Sequence, residues 1–282
     1  MSEPRIVKDG LVMGESPRWH DGRLWVSDWG AREVLAIGED GGSEVVVADG
    51  PELPACIDWL PDGTLLVVAG RAGRLLRRDD DGRLVTHADL TTVFAPPWND
   101  IVVDGRGNAL VNCAGFDFPG GEFAPGRIAV VTPAGSVREV ADGLAFPNGM
   151  AITPDDGTLI VAESYGARLT AFDIAPDGGL SSRRVWADLG DGVPDGICID
   201  SDGAVWYADV PNKRCVRGRE GGEVLAPVEL DRGCFACMLG GADGRTLFAV
   251  ASEWRGTERI AEEAGTGLVA AVEAPAAHAG RP

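Results

Sequence analysis

The amino-acid sequence predicts an all-β fold, a six-bladed β-propeller, and three observations support this prediction. Gly and Pro are frequent, with 40 and 18 copies in 282 residues, while apolar runs are short, which is typical of many turns between short strands. A strand–turn–strand unit occurs six times along the chain. The glycines of its turns recur about every 41 to 50 residues, which is the period of propeller blades with four strands each.

The repeat accounts for almost the whole chain. Its copies begin at Glu15, Cys56, Asn99, Asn148, Asp195 and Cys237, and their turn glycines are Gly22, Gly63, Gly107, Gly157, Gly203 and Gly244. Segments between the copies, such as ARLTAFDIA, are expected to form the outer half of each blade. Such regular spacing disfavours a β-sandwich or two small β domains. We therefore expect residues 1–282 to form a single propeller domain, with a tail that frays from about residue 275.

Closure of the ring is expected to use both ends of the chain. A closed ring leaves no exposed sheet edge, and its last blade is commonly completed by strands from the two termini. Ile6-Val7 and Leu268-Val269-Ala270 are the apolar segments in the right places. They are predicted to lie in the same blade.

Charge limits the classes of partner. The chain has 25 basic and 44 acidic residues, a net charge of −19, which would repel a phosphate backbone and excludes a nucleic-acid-binding surface. Such a surface instead concentrates cations. The beginning MSEPRIVKDG lacks the apolar core of a signal peptide, and no run approaches the length of a membrane span. We expect a cytoplasmic protein that does not bind a membrane.

Six cysteines are predicted to be free thiols in the core, as is usual for a cytoplasmic protein. The CFAC segment, Cys234 to Cys237, has the spacing of zinc and redox sites. No second pair is present to complete a four-ligand site. A structural role is therefore expected for both.

Oxygen-bearing side chains begin four of the six copies: Glu15, Asn99, Asn148 and Asp195. The other two copies carry small residues there, so the fold does not require a polar group at this position. The first strand of a propeller blade runs along the central channel, and its first residues therefore lie at one mouth of that channel. Each of the four, taken singly, also fits an ordinary turn or surface position. Their shared place in the repeat favours a common site.

Two carboxylates and two amide oxygens around one axis form an oxygen-only cup with a formal charge of −2. This donor set predicts one bound divalent cation. Calcium fits it best, and magnesium, manganese, zinc and ferrous iron remain open because water and substrate can complete their coordination. Gly149 is expected to let the backbone turn sharply beside Asn148.

Four motifs at these positions carry a family resemblance: GESPRW at 14–19, WND at 98–100, FPNGMAITPD at 146–155 and PDGICIDSDGAVWYA at 194–208. The sequence resembles the SMP-30/gluconolactonase/luciferin-regenerating enzyme (LRE) family, six-bladed propellers that hydrolyse lactones with one bound divalent metal. The resemblance implies that Glu15, Asn148 and Asp195 ligate the metal and that Asp195 is the general base. It places Asn99 nearby, as a further ligand or a contact to substrate.

The chemistry is also reasonable without the resemblance. A cation polarises a lactone carbonyl, and a carboxylate beside it orients or deprotonates water. Whether Asp195 or a metal-bound water acts as the base is left open by the sequence. The expected partner is a small-molecule lactone or ester.

One departure from the family pattern bears on the substrate. Sugar-lactone hydrolases of this family often have an Arg two residues before the Asn of WND, and this chain has Pro97 there. Loss of that hydroxyl-binding group weakens the expectation of a sugar lactone, and the sequence leaves both a sugar lactone and a less polar lactone open. Trp98 and an insert at 115–126, with Asp117 and Glu122 as further candidates, are expected to contact a less polar lactone or ester. The insert also fits a plain surface loop.

Two other functions are compatible with the sequence. One is a non-catalytic propeller that binds a ligand or partner with a purely structural metal, and the other is a different reaction of a carbonyl or ester compound in the same pocket. A Ser-His-Asp triad is disfavoured because no Gly-x-Ser-x-Gly motif is present. The three histidines are predicted to lie outside the channel. Glu163 and Arg168 are expected to form a surface ion pair.

Overall fold

The computed structural model describes residues 3–52, 55–118, 120–254, 259 and 265–281. Its strands form six four-stranded antiparallel sheets, each a blade of a propeller. The predicted all-β, six-bladed fold is therefore confirmed. Two short 3-10 turns, Leu90–Thr92 and Ser164–Gly166, lie between strands.

The strands follow one another blade by blade. The N-terminal strand and blade 1 contain β1 (Arg5–Leu11), β2 (Gly14–His20), β3 (Arg23–Asp28), β4 (Glu33–Ile37) and β5 (Ser43–Val47). Blades 2 and 3 contain β6 (Ile57–Trp59), β7 (Leu65–Ala69), β8 (Arg74–Arg78), β9 (Leu84–Asp89), β10 (Trp98–Val103), β11 (Ala109–Cys113), β12 (Gly126–Val131) and β13 (Val137–Leu144). Blades 4 to 6 contain β14 (Pro147–Ile152), β15 (Thr158–Glu163), β16 (Arg168–Ile174), β17 (Leu180–Asp188), β18 (Pro194–Ile199), β19 (Val205–Asp209), β20 (Arg214–Gly218), β21 (Val224–Glu229), β22 (Gly233–Gly240), β23 (Thr246–Ser252) and β24 (Gly267–Glu273).

The first strand of each blade lies innermost, and each of these strands contacts the first strand of the next blade, with β22 contacting β2 to close the ring. Blade 6 has the order β1-β24-β23-β22, so the N-terminal strand is its outermost member. Ile6 pairs with Ala270. The predicted closure by both termini is confirmed.

Apolar side chains fill the spaces between adjacent blades. Val102 and Leu110 of blade 3 pack with Met150 and Val161 of blade 4 in one such cluster, and all four are buried. Alternation along each strand sends side chains to both faces of a sheet, so each inner strand contributes to two of these interfaces. All six cysteines are free and buried, as predicted. Within the described part of the chain there is no helix with the length and apolar character that a membrane crossing requires.

The C-terminal segment crosses the face of the propeller where the inner strands end. His278 N donates to Gly244 O at 2.8 Å, Ala279 N donates to Ile199 O at 3.1 Å, and Arg281 N donates to Ile152 O at 2.9 Å. These bonds tie the segment to blades 6, 5 and 4 in turn. Fraying of the chain from about residue 275 stays a prediction, and fraying would have to break these three hydrogen bonds.

Candidate functional site

One cavity of about 300 Å³ opens on the propeller face opposite to the C-terminal segment. Its lining comes from the beginning of the first strands, as with Glu15 and Asn99, and from the residues that follow the second strands, as with Trp29 and Arg71. These two places meet because a hairpin returns the chain to the face from which it started. We call this side of the molecule the cavity face.

All four oxygen-bearing side chains predicted from the repeat line this cavity: Glu15, Asn99, Asn148 and Asp195. Each is the second residue of its strand, in β2, β10, β14 and β18. The pairing of each strand with its neighbour shifts register at this point, for example between Pro147 and Met150 and between Pro194 and Ile197. Such bulges bend a strand and redirect a side chain. A bulge at the same position in each strand therefore directs the four side chains toward the same cavity.

The Asn-Gly and Asp-Gly pairs have a different role from the one expected. Gly149 does not form a sharp turn; it lies inside β14 and is absent from the residues of positive φ. A Cβ on Gly149 would lie 2.5 Å from Asp195 O, and one on Gly196 would lie 2.6 Å from the Ala236 Cβ. Neighbouring inner strands approach too closely here for any side chain. The glycines thus allow Asn148 and Asp195 to converge.

Hydrogen bonds fix the amide of Asn148 between three blades. Asn99 Nδ2 donates to Asn148 Oδ1 at 3.1 Å, and Asn148 Nδ2 donates to Ser164 Oγ at 3.3 Å. Ser164 Oγ in turn donates to Pro194 O at 2.7 Å, next to Asp195. Asn112 Nδ2 donates to the main-chain oxygen of Asn148 at 2.6 Å. The side-chain oxygen of Asn148 is therefore directed toward Asn99.

Buried carboxylates hold the segments that precede three of these residues. Asp28 accepts from the main-chain nitrogens of Val12 and Met13, both at 2.9 Å, just ahead of Glu15. Asp28 ends the second strand of blade 1 and has 3% exposure. Two bonds from one carboxylate fix the path of the chain before it enters β2.

Blades 4 and 5 repeat this arrangement. Glu163 accepts from Ala145 N at 2.6 Å, ahead of Asn148, and Asp209 accepts from Val193 N at 3.2 Å, ahead of Asp195. Both carboxylates are fully buried at the end of a second strand.

Glu163 and Arg168 were predicted to form an ion pair on the surface. The ion pair exists, with a distance of 2.9 Å, but the predicted location is wrong because the Glu163 carboxylate is buried and is also contacted by Thr170 and Arg183.

Electrostatics distinguish this group of carboxylates from surface acids. Burial raises the pKa of Glu15 to about 8, and the negative charge of Asp100 adds to the effect, while Ser16 N and Arg18 oppose it. Burial also raises the pKa of Asp195 well above its usual value, with further contributions from the charges of Glu15 and Asp100. The two carboxylates thus lie close enough to repel one another in a poorly solvated space.

The available positive charge does not neutralise them. Arg18 is buried but is engaged below the cavity, where its guanidinium lies 3.3 Å from Asp100 Oδ1 and donates to Ile101 O at 2.7 Å. Of the described residues that line the cavity, only Arg71 is basic, and its side chain is 45% exposed at the rim. Two neighbouring carboxylates, buried Glu15 and half-buried Asp195, without a dedicated counter-ion suit a cation.

The side chains that line the cavity limit the kind of metal ion that could bind there. Among the described residues there is no cluster of three or more His, Cys, Asp and Glu side chains suited to a metal ion. A cation on the cavity floor would therefore depend on amide oxygen as well as on Glu15 and Asp195, and Asn148 and Asn99 are the amides that line the same cavity. All-oxygen ligation of this kind fits a hard divalent ion.

The remaining predicted site residues divide into two groups. Trp98 lines the cavity and is buried, with 1% exposure. Asp117 and Glu122 are not brought to the cavity: both are exposed on the insert, and Asp117 lies 3.6 Å from Arg71 at the rim. None of the three histidines lines the cavity, and His20 stacks on Trp59 with ring centroids 4.2 Å apart.

Phe118, on the insert at 115–126 that was expected to contact substrate, lines the cavity. Several other lining residues were missed by the sequence reasoning: Arg71, Ser164, Tyr165 and Phe146. Arg71, Ser164 and Tyr165 follow the second strand of their blades. The repeat was aligned on its first strands, so their position was not compared between copies. A comparison of the residues that follow the second strand in each copy of the repeat could have identified them.

Comparisons with known proteins identify the family of this chain. The SMP-30/gluconolactonase/LRE-like region matches residues 13–253. A pentonolactonase from Haloferax volcanii is 30% identical over 220 residues, which cover 74% of this chain and 70% of that protein. A 6-deoxy-6-sulfogluconolactonase from Pseudomonas putida is 27% identical over 266 residues, covering 91% of this chain and 89% of that protein.

A solved structure supports the same assignment of fold. The calcium-binding protein regucalcin from Agrobacterium tumefaciens superposes with a TM-score of 0.78 at 21% identity, covering 100% of this chain and 98% of that one. The family match extends over all four strands that carry the converging oxygen side chains. The chain belongs to the SMP-30/gluconolactonase/LRE-like family.

Proposed function

We propose that this protein is a divalent-metal-dependent lactonase that opens a lactone ring to a hydroxy acid. The observation that carries the proposal is the convergence of Glu15, Asn148 and Asp195, from three blades, on the floor of one cavity. Relatives named as a pentonolactonase and a 6-deoxy-6-sulfogluconolactonase support lactone hydrolysis. The calcium-binding protein of the same fold supports a divalent ion.

Glu15, Asn148 and Asp195 would hold the ion, with Asn99 as a further ligand or a contact to substrate. Calcium is the ion that we propose first, because all the donors are oxygen. When bound, a divalent cation supplies polarisation of the lactone carbonyl and stabilises negative charge on its oxygen. The carboxylates fix its position and offset its charge.

The chain's own groups perform the rest of the reaction. Asp195 accepts a proton as water forms a bond to the carbonyl carbon, and the ring C–O bond then breaks. The departing alkoxide takes this proton back from Asp195, which leaves a hydroxy acid and restores the carboxylate. Asn99 and Trp98 line the same cavity, and we propose that they contact the lactone ring. Their task is to hold the carbonyl within reach of the floor.

The proposal is tested by following acid release from a panel of lactones. Wild-type protein should lose turnover after chelation and recover it when one divalent cation is added back. Asp195→Asn should lower kcat at least about 100-fold. Glu44→Gln, which removes an exposed carboxylate that pairs with Arg23, is the matched control and should leave kcat unchanged.

Four outcomes would contradict the proposal. Turnover that survives in Asp195→Asn would remove the assigned base, and turnover that survives chelation would remove the metal. Cation binding without turnover of any lactone or ester would favour a non-catalytic propeller with a structural metal. Products other than the hydroxy acid would indicate a different reaction in the same cavity.

A further inference from the structure

Above its floor, the cavity offers few polar side chains to a ligand. Ser164 lines it, but its hydroxyl already donates to Pro194 O and accepts from Asn148 Nδ2. Arg71 lies at the rim, 3.6 Å from Asp117. Pro97 forms part of the wall at the position where a guanidinium was expected for a sugar-lactone hydrolase. A substrate with several hydroxyl groups would lose its hydrogen bonds to water here and regain few.

Aromatic rings form one side of the cavity. Phe116, Phe118, Phe123, Phe146 and Tyr165 are in mutual contact, with ring centroids 4.8 to 6.2 Å apart. Three of them line the cavity, and we call Phe118, Phe146 and Tyr165 the cavity rings. The insert at 115–126 supplies the first of these, and the loops beside β14 and β15 supply the other two.

The backbone holds two of the cavity rings in place at a conformational cost. Phe146 has φ 58, a left-handed conformation that bulky residues rarely adopt. Ser164 N donates to Phe146 O at 3.0 Å, and Tyr165 N donates to Ala145 O at 3.1 Å. Glu163 anchors the same turn through Ala145 N. A strained turn that is fixed by three hydrogen bonds indicates that the position of the Phe146 ring matters.

Apolar groups also face the cavity from the other blades. Trp29, Phe235 and Trp254 line it from blades 1 and 6, and the rings of Phe235 and Trp254 meet edge to face, with centroids 5.7 Å apart. Tyr165 is 55% exposed and lies at the open end of the cavity. An apolar path therefore leads from the polar floor to solvent.

We infer that the cavity selects lactones that carry an alkyl substituent, which lies along the cavity rings, and that it disfavours polyhydroxylated sugar lactones. This inference rests on the proposed function, because it assumes that the lactone carbonyl lies on the polar floor. The substituent then points away from Glu15 and Asp195 toward Phe118, Phe146 and Tyr165. Burial of each methylene is expected to raise kcat/KM about fourfold until the cavity is filled.

The test compares δ-valerolactone, δ-decalactone and D-glucono-δ-lactone with the metal-loaded enzyme. For wild type, kcat/KM should be about 16- to 1000-fold higher for δ-decalactone than for δ-valerolactone, which corresponds to burial of two to all five carbons of the pentyl group at about fourfold each, and it should be lowest for the sugar lactone. Tyr165→Ala should reduce the ratio of the two alkyl lactones about tenfold. Val224→Ala is the control, because Val224 lies on β21, is 59% exposed and does not line the cavity. It should leave the ratio unchanged.

The inference is overturned if D-glucono-δ-lactone has the highest kcat/KM, or if Tyr165→Ala and wild type show the same ratio. A separate measurement distinguishes its failure from that of the proposed function. The lactam analogues of δ-decalactone and δ-valerolactone resist hydrolysis, and their binding can be followed by tryptophan fluorescence. Tighter binding of the alkyl lactam supports the inference even if no lactone is hydrolysed, whereas equal binding rejects it.

Discussion

Asp28 Oδ1 accepts a hydrogen bond of 2.9 Å from the main-chain nitrogen of Met13, two residues ahead of Glu15. The other oxygen of the same carboxylate accepts from Val12 N at the same distance. Glu163 and Asp209 bind the corresponding segments ahead of Asn148 and Asp195. The three blades that carry the proposed ligands thus share one device, a buried carboxylate that fixes the chain just before the ligand.

Asp28→Asn tests this device. An asparagine has one acceptor oxygen, so its NH2 group would face a backbone N–H that is left without a partner. We expect a loss of about 1–3 kcal/mol in the free energy of unfolding. We also expect cation affinity to fall about 10- to 100-fold, because the segment that positions Glu15 is loosened. Urea unfolding and calorimetric titration with Ca²⁺ measure the two effects.

The control for this substitution is Asp173→Asn. Asp173 pairs with Arg184 on the surface, and its side chain is 51% exposed. Its removal changes the net charge equally but should alter stability by at most about 1 kcal/mol and leave the affinity unchanged. An equal fall in affinity for both variants would mean that overall charge, and not the buried carboxylate, determines cation binding.

Gly149→Ala tests the close approach of blades 4 and 5. The added Cβ would lie 2.5 Å from Asp195 O and 2.7 Å from Ile197 N, so β14 and β18 must separate. Overpacking of this kind should lower the free energy of unfolding by about 1–3 kcal/mol. It should also weaken cation binding, since Asn148 and Asp195 move apart.

Gly120→Ala provides the comparison for that experiment. A Cβ at this position on the insert meets nothing within 4 Å. Its unfolding free energy should stay within about 0.5 kcal/mol of wild type. If Gly149→Ala were as mild as Gly120→Ala, the inner strands would not be as close as the structure has them.

Asp58 predicts a pH dependence of stability. Burial raises its pKa to about 6, against the opposing effects of Arg18 and of hydrogen bonds from the main-chain nitrogens of Trp59 and Val103. The folded protein therefore holds a proton on this carboxyl more tightly than the unfolded chain does. Its contribution to stability is most favourable below about pH 4 and is lost as the pH rises toward 6.

Asp58→Asn removes this titration. The difference in unfolding free energy between wild type and the variant should change by about 1–3 kcal/mol between pH 4 and pH 6. Wild type should become less stable relative to the variant as the pH rises. Denaturant unfolding of both proteins across this range provides the measurement. A difference that stays constant with pH would show that Asp58 titrates normally in the folded protein.

Much of the fold could be predicted because it depends on a repeated local pattern. The turn glycines gave the number of blades, and the first residues of the repeat gave Glu15, Asn99, Asn148 and Asp195 as neighbours at one mouth. Side chains alternate between the two faces of a strand, and an antiparallel hairpin returns the chain to the side from which it started. Together these two rules determine where the first residues of each repeat lie. Closure of the ring through Ile6 also followed from the need to cover a sheet edge.

The parts that could not be predicted depend on contacts between blades. Gly149 looked like a turn residue, and only the packing of β14 against β18 shows that it is needed for close approach. Glu163 looked like a surface acid, yet its partners come from sequence positions up to 20 residues away. The orientation of Phe146 depends on a left-handed turn that its side chain does not favour.

The proposed function requires that Glu15, Asn148 and Asp195 bind one divalent cation. A crystal soaked with Ca²⁺, and a second with Mn²⁺ for its anomalous signal, would show whether they do. We predict a single peak on the cavity floor, with oxygens of all three side chains within about 2.0–2.6 Å of it. A peak elsewhere, or one of the three side chains more than about 3.5 Å from the ion, would contradict the claim.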